Sequence, residues 1–230
     1  MNKEPSGSDV LRMTLWQRVE HLLMMVLVLL LVVSGLSLVY HQHGWAKLLI
    51  RCMGGLEGRY LVHRWAAAGL LLVGLAHLVY LAASARGRRD FRDSLPTRDD
   101  LSHIWGRFRF RMTGEGEAPM HGHYTPRQKF QYWGIFLCCA VMGLSGLFLW
   151  FKAEALQHFP KVVFDLMLLV HSEQAQLIVI LFILWHLYDV HLAEGNFPMN
   201  PAWITGRMPL EAFKRQHPAE YEAMRKEEKP

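Results

Sequence analysis

Three long stretches without Asp, Glu, Lys or Arg constrain this chain more than any other feature of its sequence. They cover residues 22–40, 65–85 and 130–151, which are 19, 21 and 22 residues long. About 20 helical residues, each rising about 1.5 Å, cross the roughly 30 Å hydrocarbon layer of a bilayer. A soluble helical bundle would need a polar face on each helix, whereas these stretches are apolar on all sides. They therefore predict membrane-spanning helices.

A fourth stretch, residues 166–192, is long enough to span but carries Glu173, His171 and His186. Ionisable side chains inside an apolar span are costly and are usually kept for a function. We therefore interpret it as a fourth span with a functional role. The predicted fold is an all-α integral membrane four-helix bundle, with spans at about residues 17–40, 61–85, 130–151 and 166–190.

The distribution of Lys and Arg predicts the orientation of these spans. Residues 1–20, the loop 86–129 and the tail 193–230 contain 19 Lys and Arg, whereas the two other connections contain six. Because basic loops stay in the cytoplasm, we expect a cytoplasmic arm (1–15), a four-span domain (16–192) with its 86–129 loop in the cytoplasm, and a cytoplasmic tail (193–230). Both termini are thus predicted to be cytoplasmic, in a multi-pass protein of the bacterial inner membrane. The net charge of +5 indicates contact with anionic lipid rather than with nucleic acid.

Five histidines fall into two layers along the predicted spans. His63 and His171 lie toward the outer face, and the cytoplasmic side holds His21, His77 and His186. A bis-histidine haem b needs two imidazoles that face each other from different helices at one depth, and both layers meet that condition. The sequence therefore predicts two haem b groups, about 20 Å apart along the helices. Covalent haem attachment is not expected, because no Cys-x-x-Cys-His motif occurs.

The histidine geometry leaves two points open. The cytoplasmic layer has one histidine more than a single haem needs. His171 and His186 are 15 residues apart, which turns them about 60° from each other on an ideal helix. Helix tilt or a π-bulge near Glu173 would absorb this offset.

Arginines and one loop segment supply further candidate contacts. Arg18, Arg59 and Arg64 flank the histidine layers, either as bidentate donors to haem propionates or as ordinary charges at span ends. In the cytoplasmic loop, residues 98–110 predict a short surface helix that lays Leu101, Ile104 and Phe108 on the bilayer.

Two other functions compete with haem binding. In the first, the chain is a haemless membrane anchor or transporter whose histidines relay protons or bind zinc or copper. In the second, it is a self-sufficient transmembrane ferric reductase, which would need an outer substrate site that the sequence does not reveal. A count of iron per chain separates the first from a dihaem protein.

Several motifs together resemble a known family. They are RVEH at the first span, LVHRW at the second, YTPRQKFQYWG entering the third, LLVHSEQA and WHLY in the fourth, and QHPAEYEAM in the tail. Over about residues 13–224 the chain resembles the cytochrome b (gamma) subunit of membrane-bound formate dehydrogenases and related four-span dihaem cytochromes b. The resemblance implies an electron-transfer subunit of an oxidoreductase complex, and whether the chain has its own quinone redox site is left open.

The resemblance also implies roles for particular residues. His21 and His186 would hold the cytoplasmic-side haem, His63 and His171 would hold the outer-side haem, and His77 would be spare. A quinone or quinol would bind beside the cytoplasmic haem, and the residues implied for it are Tyr124, Thr125, Gln128 and Lys129. The implied partner lies at the outer, periplasmic face and is an iron–sulfur or molybdenum enzyme subunit or a multihaem cytochrome c.

Overall fold

Helices dominate the computed structural model, which describes residues 9–114, 123–193 and 196–227. Within those residues, four helices are long and apolar enough to cross a membrane, as the sequence predicts. They are Leu15–Val39, Gly55–Ala83, Pro126–Trp150 and Lys161–Leu192. The predicted all-α, four-span architecture is therefore confirmed.

The described elements follow one another in a simple order. The helices are α1 (Leu15–Val39), α2 (Gly44–Cys52), α3 (Gly55–Ala83), α4 (Ala85–Ser94), α5 (Arg98–Thr113), α6 (Pro126–Trp150), α7 (Lys152–His158), α8 (Lys161–Leu181), a π-helical segment (Phe182–Leu192), α9 (Ala202–Thr205), α10 (Leu210–Gln216) and α11 (Pro218–Glu227). Two short strands, β1 (Val10–Leu11) and β2 (Arg207–Met208), pair antiparallel.

The chain divides into two compact units. The first, which we call the histidine unit, comprises Trp16–Leu78 and Phe136–Asn200. The second, the polar unit, comprises Met1–Leu15, Val79–Ile135 and Pro201–Pro230. All five histidines singled out in the sequence belong to the histidine unit, whereas the four residues implied in quinone binding belong to the polar unit.

Glycines allow neighbouring helices in the histidine unit to pack closely. A Cβ atom on Gly69 of α3 would lie 2.9 Å from a methyl group of Leu27 on α1, and one on Gly143 of α6 would lie 3.3 Å from a methyl group of Leu71 on α3. Helix packing in a bilayer relies on such close approach, because lipid offers no hydrophobic drive to bring helices together. These positions hold α3 against both α1 and α6.

The helical register changes at Phe182. The π-helical segment lies at Phe182–Leu192, beyond the position near Glu173 that the sequence suggested for a bulge. A π turn holds more residues than an α turn, so each residue advances by less than about 100°. His186 lies within this segment, and the offset of about 60° from His171 expected on an ideal helix is reduced. The change of register thus turns the two histidines toward one side of the element.

Helix caps explain the element boundaries in the polar unit. The Asp100 carboxylate accepts hydrogen bonds from the backbone N–H of Thr97 at 2.6 Å and from its hydroxyl at 3.0 Å, so α5 begins there. Its other end is closed by Gly114 with φ of 71°, a left-handed conformation that favours glycine. The predicted helix in this loop is confirmed, and Leu101, Ile104 and Phe108 are all exposed on it.

A partly buried cluster joins the arm, the loop before α6 and the tail. Arg12 donates to the Glu220 carboxylate at 2.8 Å and to the His123 carbonyl at 2.9 Å, and its Nη2 lies 3.4 Å from the Nε2 of His217. His123 Nδ1 lies 2.7 Å from the other Glu220 oxygen. We call these four residues the tail clasp. Sequence reasoning assigned no role to Arg12 or Glu220.

Candidate functional site

Two pairs of imidazoles face each other in the histidine unit. His63 on α3 and His171 on α8 have ring centroids 6.3 Å apart, with their planes at 74°. His21 on α1 and His186 in the π-helical segment have centroids 6.2 Å apart, with their planes at 35°. The structure therefore brings together the same pairs that the family resemblance implies.

The separation of the rings suits an iron atom between them. Metal–imidazole bonds are about 2 Å long, and each ring centre lies about 1 Å behind its nitrogen, so two axial imidazoles place their centroids about 6 Å apart. Both measured separations agree with that value. Among the residues that the structure describes, no group of three or more His, Cys, Asp or Glu could hold a metal ion. Two histidines alone make a poor metal site, but a haem supplies four further nitrogen ligands.

A serine and a glycine border each imidazole of the His63–His171 pair. The Ser34 hydroxyl lies 2.9 Å from His63 Nδ1, and the Ser145 hydroxyl lies 2.9 Å from His171 Nδ1. Gly35 follows Ser34, and Gly146 follows Ser145. A Cβ atom on Gly35 would lie 3.5 Å from the His63 ring, and one on Gly146 would lie 3.1 Å from the His171 ring. Both rings therefore lie directly against the backbone of the adjacent helix.

Two arginines of α3 are held at the level of the His63–His171 pair. The buried Arg59 donates from Nε to the Ser34 carbonyl at 2.6 Å. Arg64 donates to the Trp150 carbonyl at 2.9 Å and lies over the rings of Trp150 and Tyr60, at 4.4 and 4.3 Å. Each guanidinium has five N–H donors, so one such bond leaves donors that suit a carboxylate. Arg18 is half-buried on α1, one turn before His21.

His77 has a different neighbour from the paired histidines. Its Nδ1 lies 2.7 Å from a carboxylate oxygen of Glu20, which is only 6% exposed. A buried carboxylate needs a compensating partner, and His77 supplies one. Glu20 precedes His21 in the RVEH motif, yet a charged residue at the start of a span looks in the sequence like an ordinary interfacial group.

The residues implied in quinone binding cluster at the start of α6. Gln128 accepts from the backbone N–H of Thr125 at 2.9 Å, and the Thr125 hydroxyl accepts from the backbone N–H of Gln128 at 3.3 Å, which is a capping box. Lys129 pairs with Asp100 at 3.0 Å, with both side chains largely buried. Thr125, Gln128 and Lys129 therefore also stabilise the local structure at the start of α6.

The pKa values of Tyr124 and Asp100 in this cluster are shifted in opposite directions. Burial raises the pKa of Tyr124, and the nearby carboxylates Asp90 and Asp93 raise it further, so its phenol keeps its proton at neutral pH and can donate a hydrogen bond. Burial alone would raise the pKa of Asp100, but hydrogen bonds from Thr97 and Lys129 outweigh that effect and lower it. Asp100 is therefore a carboxylate and a fixed partner for Lys129.

Four membrane-length helices with two facing imidazole pairs define a membrane protein with two candidate bis-histidine haem sites. A family model described as prokaryotic cytochrome b561 matches residues 12–194, and the chain belongs to that family. It is a multi-pass bacterial membrane protein of a family that binds haem b and transfers electrons. No curated protein matches the chain. The closer resemblance to formate dehydrogenase gamma subunits stays a prediction.

Proposed function

We propose that this protein is a dihaem cytochrome b that transfers electrons across the inner membrane, between the quinone pool and a redox partner at the outer face. The observation that carries the proposal is the pair of facing imidazoles at each of two places in the histidine unit, both at a separation that suits iron. Haem b supplies one-electron transfer at each site when bound. The partner is an iron–sulfur or molybdenum enzyme subunit, as in formate dehydrogenases, or a multihaem cytochrome c.

Each site takes its ligands from two different spans. His63 and His171 bind the outer haem, and His21 and His186 bind the haem nearer the cytoplasm. Arg18, Arg59 and Arg64 provide the positive charges that hold the propionates. His77 is the alternative ligand on the cytoplasmic side, and its contact with Glu20 favours a structural role instead.

A quinone or quinol binds at the start of α6 in this proposal. Tyr124 donates to a quinone carbonyl, because its half-buried phenol lies just before α6 and is protonated at neutral pH. Thr125, Gln128 and Lys129 complete the polar surroundings, with Lys129 held in place by Asp100. A quinone takes up protons as it is reduced, and this polar group lies at the end of a span, where water can supply them.

Haem content tests the central proposal. The purified full-length protein should show b-type bands in its reduced-minus-oxidised spectrum, and the pyridine haemochrome assay should give about two haems per chain. Metal analysis should give about two irons. Zinc or copper without iron would support a haemless transporter instead, and a colourless protein free of all three metals would support a membrane anchor.

Single substitutions test the assignment of ligands. We expect His171→Ala to remove one redox component and His186→Ala to remove the other, because each removes one of the two imidazoles that would hold that haem. His43→Ala is the matched control, since His43 is exposed and lies outside both pairs. If His77→Ala removes a haem while His21→Ala retains both, the cytoplasmic ligand assignment is wrong.

The quinone site is tested by the rate at which a soluble quinol reduces the haems. We expect Tyr124→Phe to slow this reduction about tenfold, which corresponds to one lost hydrogen bond of about 1.4 kcal/mol. Dithionite should reduce this variant as fast as the unmodified protein. Arg127→Ala serves as the control, because Arg127 is an exposed neighbour. Equal quinol rates for all three proteins would place the quinone elsewhere.

A further inference from the structure

Two buried serines make the same set of contacts beside His63 and His171. The Ser34 hydroxyl donates to the Leu30 carbonyl at 2.6 Å and lies 2.9 Å from His63 Nδ1. The Ser145 hydroxyl donates to the Val141 carbonyl at 2.7 Å and lies 2.9 Å from His171 Nδ1. Both serines are almost fully buried, with exposed fractions of 0% and 2%.

The direction in which each serine hydroxyl donates its proton determines the tautomer of the neighbouring imidazole. A serine hydroxyl has one proton to donate, and at both positions the carbonyl four residues earlier is the nearer acceptor. The serine oxygen then accepts a hydrogen bond from Nδ1–H of the histidine. The proton of the neutral imidazole therefore lies on Nδ1, and Nε2 keeps the lone pair that binds a metal.

We infer that Ser34 and Ser145 are positioning residues that fix the tautomer and the ring orientation of His63 and His171, and that they lower the reduction potential of the haem bound there. The inference rests on the proposed haem function. A hydrogen bond from the outer nitrogen of a ligating histidine makes the imidazole a stronger electron donor and orients its ring. A stronger donor stabilises ferric iron more than ferrous iron, which lowers the potential.

The glycines that follow these serines restrict the same two rings. A Cβ atom on Gly35 would lie 3.5 Å from His63 Cε1, and one on Gly146 would lie 3.1 Å from His171 Cε1. A Cβ atom at 3.1 Å would crowd the His171 ring, whereas one at 3.5 Å would make ordinary van der Waals contact with the His63 ring, so each ring packs closely over its glycine. The hydroxyl and the bare helix backbone therefore define one ring orientation together, and a Ser-Gly dipeptide supplies both.

Redox titration of the full-length protein tests this inference. We expect Ser34→Ala and Ser145→Ala each to keep two haems by pyridine haemochrome and to shift the midpoint potential of the outer component upward. The component that His186→Ala removes should keep its potential. Ser34→Thr and Ser145→Thr retain the hydroxyl and should restore the original value. Ser37→Ala is the control, because Ser37 is equally buried on α1 and donates to the Ser34 carbonyl.

The outcomes separate this inference from the haem proposal. A protein without haem would refute the proposed function itself. Two haems with unchanged potentials in both alanine variants would overturn the positioning role alone. If an alanine variant loses only the outer haem and the threonine variant regains it, the hydroxyl is needed for ligation and the inference stands. Loss of both haems from the alanine and threonine variants alike would mark a folding role and overturn it.

Discussion

Glu20 and His77 illustrate why the depth of a histidine in the membrane does not by itself identify a haem ligand. The sequence places His77 at the depth of His21 and His186, but depth does not specify which way a side chain points. The structure sets its Nδ1 2.7 Å from the Glu20 carboxylate, whereas the rings of His21 and His186 face each other. Removing either member of this pair would leave the other as a buried polar group without its partner between α1 and α3.

Removing His77 should therefore weaken the fold and spare the haems. We expect His77→Ala to retain two haems while losing about 1–3 kcal/mol of stability, because the Glu20 carboxylate stays buried without its imidazole. The measurement is the apparent Tm of the detergent-solubilised protein, followed by haem absorbance. The exposed His43→Ala should leave the Tm unchanged. An unaltered Tm for His77→Ala would show that the pair adds nothing to stability.

Glu220 gives the tail clasp a defined dependence on pH. Burial alone would raise the pKa of Glu220, but the hydrogen bond with His123 and the positive charge of Arg12 outweigh it and lower the pKa. A carboxyl group with a lowered folded-state pKa stabilises the fold above its unfolded pKa of about 4.3. That stabilisation is lost as the pH falls through the lower, folded value. The contacts of Glu220 in the tail clasp should thus be present at neutral pH and be lost in acid.

The mobility of a spin label on the tail reports whether the contacts of the tail clasp are lost. A nitroxide at the exposed position 222 should be immobile at pH 7 and become mobile as the pH falls below about 4. In Glu220→Gln the label should be more mobile at pH 7, since a charge-assisted hydrogen bond of about 2 kcal/mol is lost, and its mobility should depend less on acid. The same acid response in both proteins would assign the transition to another group.

At the scale of elements, α5 carries an exposed apolar stripe in a loop rich in arginine. Its exposed apolar side chains include Leu101, Ile104, Trp105, Phe108 and Met112. These residues recur at helical spacing, so they form one face, as in helices that lie on a membrane surface. The Lys129–Asp100 pair joins the beginning of this helix to α6.

Spin labels can locate this face of α5. We expect nitroxides at positions 101 and 108 to be accessible to oxygen and shielded from a water-soluble nickel complex, because oxygen concentrates in lipid. A label at position 99, on the opposite face, should show the reverse pattern. The labels require a background without Cys52, Cys138 and Cys139, which are all free thiols. High nickel accessibility at position 101 would place α5 in water.

The elements also show what the sequence could predict. Length and apolar content were sufficient for three spans, whereas the fourth was inferred from its length and from the functional interpretation of its histidines. Spacing was sufficient for the helix that starts at Arg98. The π-helical segment at Phe182–Leu192 was not located, because a change of hydrogen-bond register leaves no periodic trace in the residues. Ser34 and Ser145 were missed for a similar reason. A serine within a span is common in helix packing, and only the position of the neighbouring imidazole makes it specific.

At the scale of the whole molecule, orientation remains a prediction from the Lys and Arg distribution. The cytoplasmic side is expected to hold 19 of these residues and the other side six. Fusion of green fluorescent protein to the C-terminus should therefore give fluorescent cells, and fusion of alkaline phosphatase there should be inactive. Alkaline phosphatase fused after residue 159 should be active. The opposite activities would invert the assignment of the two haems to membrane faces.

The repeated Ser-Gly dipeptide has a consequence for how such a protein is assembled. Ser34 precedes its histidine by 29 residues and Ser145 precedes its histidine by 26, so α1–α3 and α6–α8 are two hairpins built on one plan. His77 follows His63 by 14 residues, and His186 follows His171 by 15, which makes His77 the counterpart of His186. In the proposed haem arrangement, each hairpin supplies one of the two histidines at each site. If the proposed ligands are correct, we expect haem to be captured only after the last span has been inserted.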